Sequence, residues 1–161
     1  MNSFEIVPLP EAVADRVRRL RSDDHGNREI DVTVADRNPG FPCRVCLEDA
    51  EPGEPMLLFS YSPFNRPRPY RNVGPIFIHG ERCSPYRDTR TVPKQLRHRL
   101  LALRAYDESD WMLGSDVVDG SEIEVLIQRL FEDPGAKYIH VHNARAGCFA
   151  CQIERVTSGA I

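Results

Sequence analysis

Lys137-Tyr138-Ile139-His140-Val141-His142 and Cys148-Phe149-Ala150-Cys151-Gln152-Ile153-Glu154-Arg155-Val156 flank the short connector Asn143-Ala144-Arg145-Ala146-Gly147. Both flanks are rich in β-branched and aromatic residues and alternate in polarity, which is the pattern of strands. A connector this short, ending in glycine, suits a hairpin. A parallel crossover needs about a dozen residues or more, so these two strands must run antiparallel.

The same reading extends upstream. Ser121 to Phe131 is the clearest helix. Ser121 and Glu124 form a capping box, and Ile123, Leu126, Ile127 and Leu130 make a buried stripe. Asp133-Pro134-Gly135 stops it. Met112 to Val118 and Leu100 to Tyr106 read as strands, and Pro93 starts a helical turn through Arg97. Ile76 to His79 and Met56 to Tyr61 are strands separated by a proline-broken loop, Pro63 to Pro75. Asn38 to Pro55, rich in Pro, Gly and acid, is loop. Glu29 to Ala35 alternates, so Ile30, Val32 and Val34 are expected on the inner face of a half-buried strand. Pro10 suits the first turn of a helix that carries Val13, Val17 and Leu20 and ends at Gly26. Phe4 to Val7 is a short strand. Strands outnumber helices and several neighbours are joined briefly. The expected fold is therefore α+β: a single domain over residues 1–161, with a largely antiparallel sheet and two main helices.

A chain of 161 residues can bury a real core without staples. No apolar run approaches the ~20 residues that span a bilayer. The stretch from Met1 to Pro10 lacks the pattern of a signal peptide, so a cytoplasmic address and reduced thiols are expected. The five cysteines, an odd number, exclude a complete disulfide framework. The formal net charge of −3 conceals an asymmetry. Asn65 to Arg104 is strongly basic, and Ala105 to Pro134 is strongly acidic. Two neighbouring faces that neutralise each other are the plain explanation; an anion-binding surface is the functional one.

Several segments resemble a bacterial family, domain of unknown function 1203. They are Phe41-Pro42-Cys43-x-x-Cys46, Leu57-Leu58-x-Ser60-Tyr61-x-Pro63-Phe64, and Gly74-Pro75-Ile76-Phe77-Ile78-His79. Arg104-Ala105-Tyr106-Asp107, Tyr138-Ile139-His140-Val141-x-Asn143-Ala144 and Gly147-Cys148-Phe149 complete the set. The resemblance covers nearly the whole chain. It implies a compact bacterial domain and transfers no catalytic or binding residue.

The chemistry must come from the residues themselves. Cys43-x-x-Cys46 and Cys148-x-x-Cys151 can each supply two thiolates to one zinc ion, so Cys43, Cys46, Cys148 and Cys151 are the candidate metal ligands. Cys43 and Cys46 sit in a loop that can curl around an ion. Cys148 and Cys151 lie on a strand, where alternate residues face apart and Phe149, Cys151 and Ile153 would face the core. Cys83 or His79 could take the fourth position instead. A dithiol redox site is less well supported, because such sites place the first cysteine at a helix N-terminus.

His140 and His142 share one strand face and could present two imidazoles to a metal, with His79 as a third and Asp107 as base. That set would suit metal-dependent hydrolysis. Phe64, Arg66, Arg68, Tyr70 and Arg71, extended by Tyr86, Arg87 and Arg90, interleave rings with guanidinium groups. The overall acidic balance argues against nucleic acid, which leaves a small anionic ligand. The sequence thus favours a non-enzymatic binding module, zinc-stabilised through its cysteines. A histidine-centred metal-dependent hydrolase is the alternative, and an anion- or phosphate-binding protein the third reading.

Overall fold

The computed structural model describes residues 4–156. In chain order these form β1 (Phe4–Val7), α1 (Glu11–Leu20), β2 (Val32–Val34), β3 (Pro55–Tyr61), β4 (Gly74–His79), the single turn α2 (Lys94–Arg97), β5 (Leu100–Tyr106), β6 (Met112–Asp119), α3 (Ile123–Leu130), β7 (Tyr138–Asn143) and β8 (Phe149–Arg155). The strands divide into two antiparallel sheets, one of five strands in the order β1-β8-β7-β5-β6 and one of three in the order β2-β3-β4. This is the expected α+β fold with two main helices. No helix among the described residues is long and apolar enough to cross a membrane.

The β7–β8 hairpin forms as its pattern demands. Asn143 donates its N–H to the Cys148 carbonyl at 2.9 Å, and Gly147, at φ +80°, donates to the Asn143 carbonyl at 2.7 Å. Three local expectations need correction. Helix α1 stops before Gly26 because Arg21 adopts a left-handed cap, its N–H bonded to the Val17 carbonyl. Only Val32–Val34 of the 29–35 segment pairs as strand, and all three residues are exposed, because β2 is the outer strand of the small sheet; Ile30 and Ala35, on either side, are buried instead. At the start of α3, a 3₁₀ turn over Gly120–Glu122 is capped by the Asp119 side chain, which accepts from the Ser121 N–H, in place of a Ser121–Glu124 box. Glu124 is engaged elsewhere, in a two-pronged bond from Arg97 at 2.5 and 2.6 Å.

Two cores result. The first lies on one face of the large sheet, where Leu101, Leu103, Ile139, Val141 and Ile153 meet Ile123, Leu126 and Ile127 of α3. The second joins Ala14 and Val17 of α1 to Met56, Phe59, Ile76 and Ile78 of the small sheet. A bulge decides which core receives each residue of β8. Cys151 pairs with Val141 while Phe149 pairs with His142, leaving Ala150 as the extra residue. Ala150, Cys151 and Ile153 enter the first core, and Phe149 enters the second. The expected Phe149–Cys151–Ile153 face is therefore split. The loop that carries Cys43 straddles the junction: Cys43 and Val45 lie in the second core, and Leu47 in the first.

Candidate metal centre

The loop before β3 reverses sharply. Pro42 bridges Asp49, the Cys43 N–H donates to the Glu48 carbonyl at 3.0 Å, and Leu47 closes the turn at φ 56°. Cys43 also bridges Phe77 of β4 in parallel, and the Arg44 N–H donates to the Phe77 carbonyl at 3.1 Å. The knuckle is thereby fastened alongside β4, whose last residue is His79. Gly80 then donates to the Pro55 carbonyl at 2.8 Å, turning the chain so that Cys83 comes back to the same place.

Four donor atoms converge there. The sulfurs of Cys43, Cys46 and Cys83 and a ring nitrogen of His79 all lie within 4.8 Å of one another, the one such group among the described residues. The Cys43 and Cys83 sulfurs are 3.8 Å apart, and His79 Nδ1 is 3.6 Å from the Cys46 sulfur. A tetrahedral ion bound by thiolates at ~2.3 Å has sulfur–sulfur edges of ~3.8 Å, so these spacings fit a shared ion. The surroundings favour thiolate. The His79 N–H donates to the Cys43 sulfur at 3.3 Å, and Arg18 Nη2 lies 3.6 Å from the Cys83 sulfur. Arg18 is itself placed by a bond from Nε to the His79 carbonyl at 3.0 Å.

Crowded thiols share their protons unequally. Hydrogen bonds from Cys46 and Cys83 hold the Cys43 thiol far below the ordinary thiol range, and the same contact with Cys43 pushes Cys46 upward. His79 is raised to about 10, by its hydrogen bonds to Cys43 and then Cys83, which outweigh its burial. These shifts favour a thiolate on Cys43 and a proton on His79, and a divalent cation can replace the protons that hold the group together. A cleft of about 560 Å³ opens beside Cys46, His79 and Cys83, and Glu48, Asp49, Glu51, Glu54, Glu81 and Asp88 line it against only Arg82 and Arg87. That much negative charge around one entrance concentrates cations.

Cys43 and Cys46 thus meet Cys83 and His79, the residues considered for the fourth position. Cys148 and Cys151 stand outside the group. Cys151 is buried in the first core, and Cys148 accepts from Asn143 Nδ2 at 3.4 Å near the hairpin turn. Cys148 lies in the connector before β8 and Cys151 within the strand, so equal spacing does not produce an equivalent site. All five thiols are free of disulfides.

His140 and His142 do share one face of β7, and that face is buried. Phe64, Tyr106, Tyr138 and Phe149 ring His140 at centroid distances of 4.9 to 5.3 Å, and its Nε2 meets Gln152 Oε1 at 3.1 Å. His142 Nδ1 lies 3.1 Å from the Gly147 carbonyl, and its Nε2 lies 3.4 Å from Arg104. Asp107 accepts the backbone N–H groups of Ser109 and Trp111, so it shapes the β5–β6 turn. His79 belongs to the cysteine group. The structure does not assemble a histidine-centred ion site from these residues. In the basic loop, Phe64 is buried, Tyr70 packs edge-on against Tyr106 and Trp111, and Arg66 binds Asp110 at 2.8 Å. These anchors tie the loop to the acidic segment.

An antiparallel α+β fold that gathers three cysteines and one histidine, the cysteines against its second core, defines a candidate metal-binding protein. A family model described as "Protein of unknown function (DUF1203)" matches residues 40–155, and the chain belongs to that family. The match contains all four converging donors. No curated protein matches the chain, and no solved structure does.

Proposed function

We propose that this protein is a binding module whose fold is stapled by one zinc ion held by Cys43, Cys46, His79 Nδ1 and Cys83. The observation that carries the reading is the convergence of those four donors within 4.8 Å of one another. Three soft sulfurs and one imidazole at tetrahedral spacing suit zinc better than the hard cations that prefer oxygen. Four protein ligands fill a tetrahedral shell and leave no position for an activated water, which favours a structural role over hydrolysis. Three thiolates and a neutral imidazole around a divalent ion leave a net charge of about −1, and Arg18 beside Cys83 is placed to balance it. The ion would join the knuckle, the end of β4 and the segment after Gly80 beside the second core. The reading carries with it a reducing, cytoplasmic setting in which thiolates remain available.

The test is elemental mass spectrometry on untagged protein. About one zinc per chain is expected, lost in Cys43→Ser and Cys83→Ser and retained in Cys148→Ser. Metal-free protein after purification in zinc-supplemented medium, or full loading of the Cys43→Ser/Cys83→Ser double variant, would overturn the assignment.

A further inference from the structure

Arg44 follows the first knuckle cysteine but serves another part of the fold. Its side chain is buried, only 1 % of the residue being exposed. Nε donates to the Phe149 carbonyl at 2.7 Å and Nη1 to the Pro42 carbonyl at 2.6 Å. Two backbone carbonyls satisfy two nitrogens, and no carboxylate of the described residues pairs with the charge; the sulfurs of Cys148 and Cys43 are the neighbours that favour it. Burial opposes that charge and pushes Arg44 below its ordinary range. A buried guanidinium without a carboxylate partner is costly to maintain.

Arg44 lines a cavity of about 750 Å³, together with Arg37, Arg99 and Arg145, and no aspartate or glutamate lines it. The cleft beside the cysteines is lined instead by six acidic residues against two arginines. Arg99 is neutralised by Asp49 at 2.5 Å, and Arg37 by Asp36 at 2.9 Å. Arg145, at the hairpin turn, has no ion-pair partner among the described residues. The free positive charge therefore belongs to Arg44 and Arg145. Leu58, Phe77 and Leu100 supply an apolar wall. Asn143 adds an independent observation. It lines the same cavity and is only 8 % exposed, and its Oδ1 is buried without a partner. A buried acceptor without a partner, in a cavity shared with a buried guanidinium that has no carboxylate partner, is the kind of feature a ligand can satisfy.

We propose that this cavity binds a small organic anion, a carboxylate or phosphate ester with an apolar body. Its anionic oxygens face Arg44 and Arg145, its body lies on Phe77 and Leu100, and a hydroxyl or N–H group of the ligand donates to Asn143 Oδ1. Guanidinium forks match the planar oxygens of both anion types, which is why arginine recurs in such sites.

The experiment is an NMR titration of isotope-labelled, metal-loaded protein with phenyl phosphate, benzoate, inorganic phosphate and phenol. Saturable shifts are expected at the backbone amides of Phe77, Leu100, Asn143 and Ala146 with phenyl phosphate or benzoate, the tighter of the two naming the anion. Inorganic phosphate and phenol, each lacking one half of the recognition, should bind about tenfold more weakly or worse. Arg44→Met should abolish binding. Should that variant fail to fold, the exposed Arg145→Glu carries the test and should weaken binding about tenfold. Absence of saturable shifts up to about 10 mM probe, shifts confined to another surface, or unchanged affinity in Arg145→Glu would each overturn the proposal.

Discussion

His79 Nδ1 stands 3.6 Å from the Cys46 sulfur while the Nε2 of the same ring lies 3.4 Å from Glu54 Oε2. The ring therefore has a metal-facing nitrogen and a carboxylate-facing one. Glu54 is held for this purpose by its other oxygen, which accepts the Glu51 N–H at 2.7 Å. Nε2 is buried and makes no hydrogen bond of good geometry, so a small shift toward Glu54 on ion binding would satisfy it. A carboxylate behind a ligating imidazole fixes its tautomer and raises its basicity.

Glu54→Gln should accordingly weaken zinc affinity about 10- to 100-fold without changing the fold. Competition against a chromophoric chelator measures it, with circular dichroism as the control. Equal affinities in the two proteins would remove Glu54 from any role at the site.

Chelation should loosen the protein without unfolding it outright, because both cores persist without the ion. A loss of about 3 kcal/mol would lower Tm by roughly 6–12 °C for a chain of this size. Hydrogen exchange should accelerate at Cys43–Glu48 and around Cys83, and stay slow in α3, which packs on the first core. An unchanged Tm after verified metal removal would contradict a stapling role.

Much of this was legible in the chain. The β7–β8 hairpin and the α3 stripe announce themselves through local periodicity, and local periodicity is what a single sequence displays. Cys43 and Cys46 were legible for the same reason, since a knuckle is a local structure. Their partners were legible only as alternatives. Cys83 and His79 join them because Cys43 pairs with Phe77 of β4, a long-range contact that leaves no trace in spacing. Cys148-x-x-Cys151 has the same spacing as the knuckle and a different fate, since Cys151 is drawn into the first core by strand β8 while Cys148 stays in the connector. Arg44 was the least visible. Between two cysteines in a polar loop it reads as a solvated charge, yet it is among the most buried side chains in the molecule.

The five thiols should differ sharply toward an alkylating reagent. Burial pushes Cys151 up to about 12, so it should stay unmodified until the protein unfolds. In metal-free protein the half-buried Cys46, Cys83 and Cys148 are reachable, and bound metal should protect the first two and leave Cys148 reactive. Mass spectrometry of peptides with and without chelator reads the pattern. Protection of Cys148 together with Cys46 would point to a different ligand set.

Gly120 is the most constrained glycine in the fold. A Cβ there would lie 1.8 Å from the Leu96 carbonyl oxygen and 2.9 Å from that of Arg99, both backbone atoms with little room to retreat. Its own N–H donates to the Arg99 carbonyl at 2.8 Å, joining α2 to the entry of α3. Gly120→Ala should destabilise by about 3 kcal/mol or more, at the upper end of what core overpacking costs. Urea unfolding would measure it, and a loss under about 1 kcal/mol would mean that this junction yields easily.

Stability should fall with acid because of the buried histidines of β7. Burial lowers His140 from 6.5 to about 3, against a hydrogen bond that Gln152 Oε1 accepts from it, and lowers His142 from 6.5 to about 4, with the nearby Arg104 adding to the effect. In the unfolded chain both titrate near the ordinary value. Between pH 6.5 and about 4 the unfolded state therefore binds more protons than the folded one, and the linkage relation makes stability rise with pH across that window. Each unit of depression corresponds to about 1.4 kcal/mol, so the two together approach the whole stability of a small domain, and acid unfolding should begin before either shift is fully expressed. Replacing both by glutamine removes the titrating groups while keeping polar side chains on that face. Compared at equal metal loading, the double variant should show a shallower loss of Tm from pH 7 to pH 5 than the parent protein. Parallel Tm curves for the two proteins would show that the β7 histidines do not govern acid sensitivity.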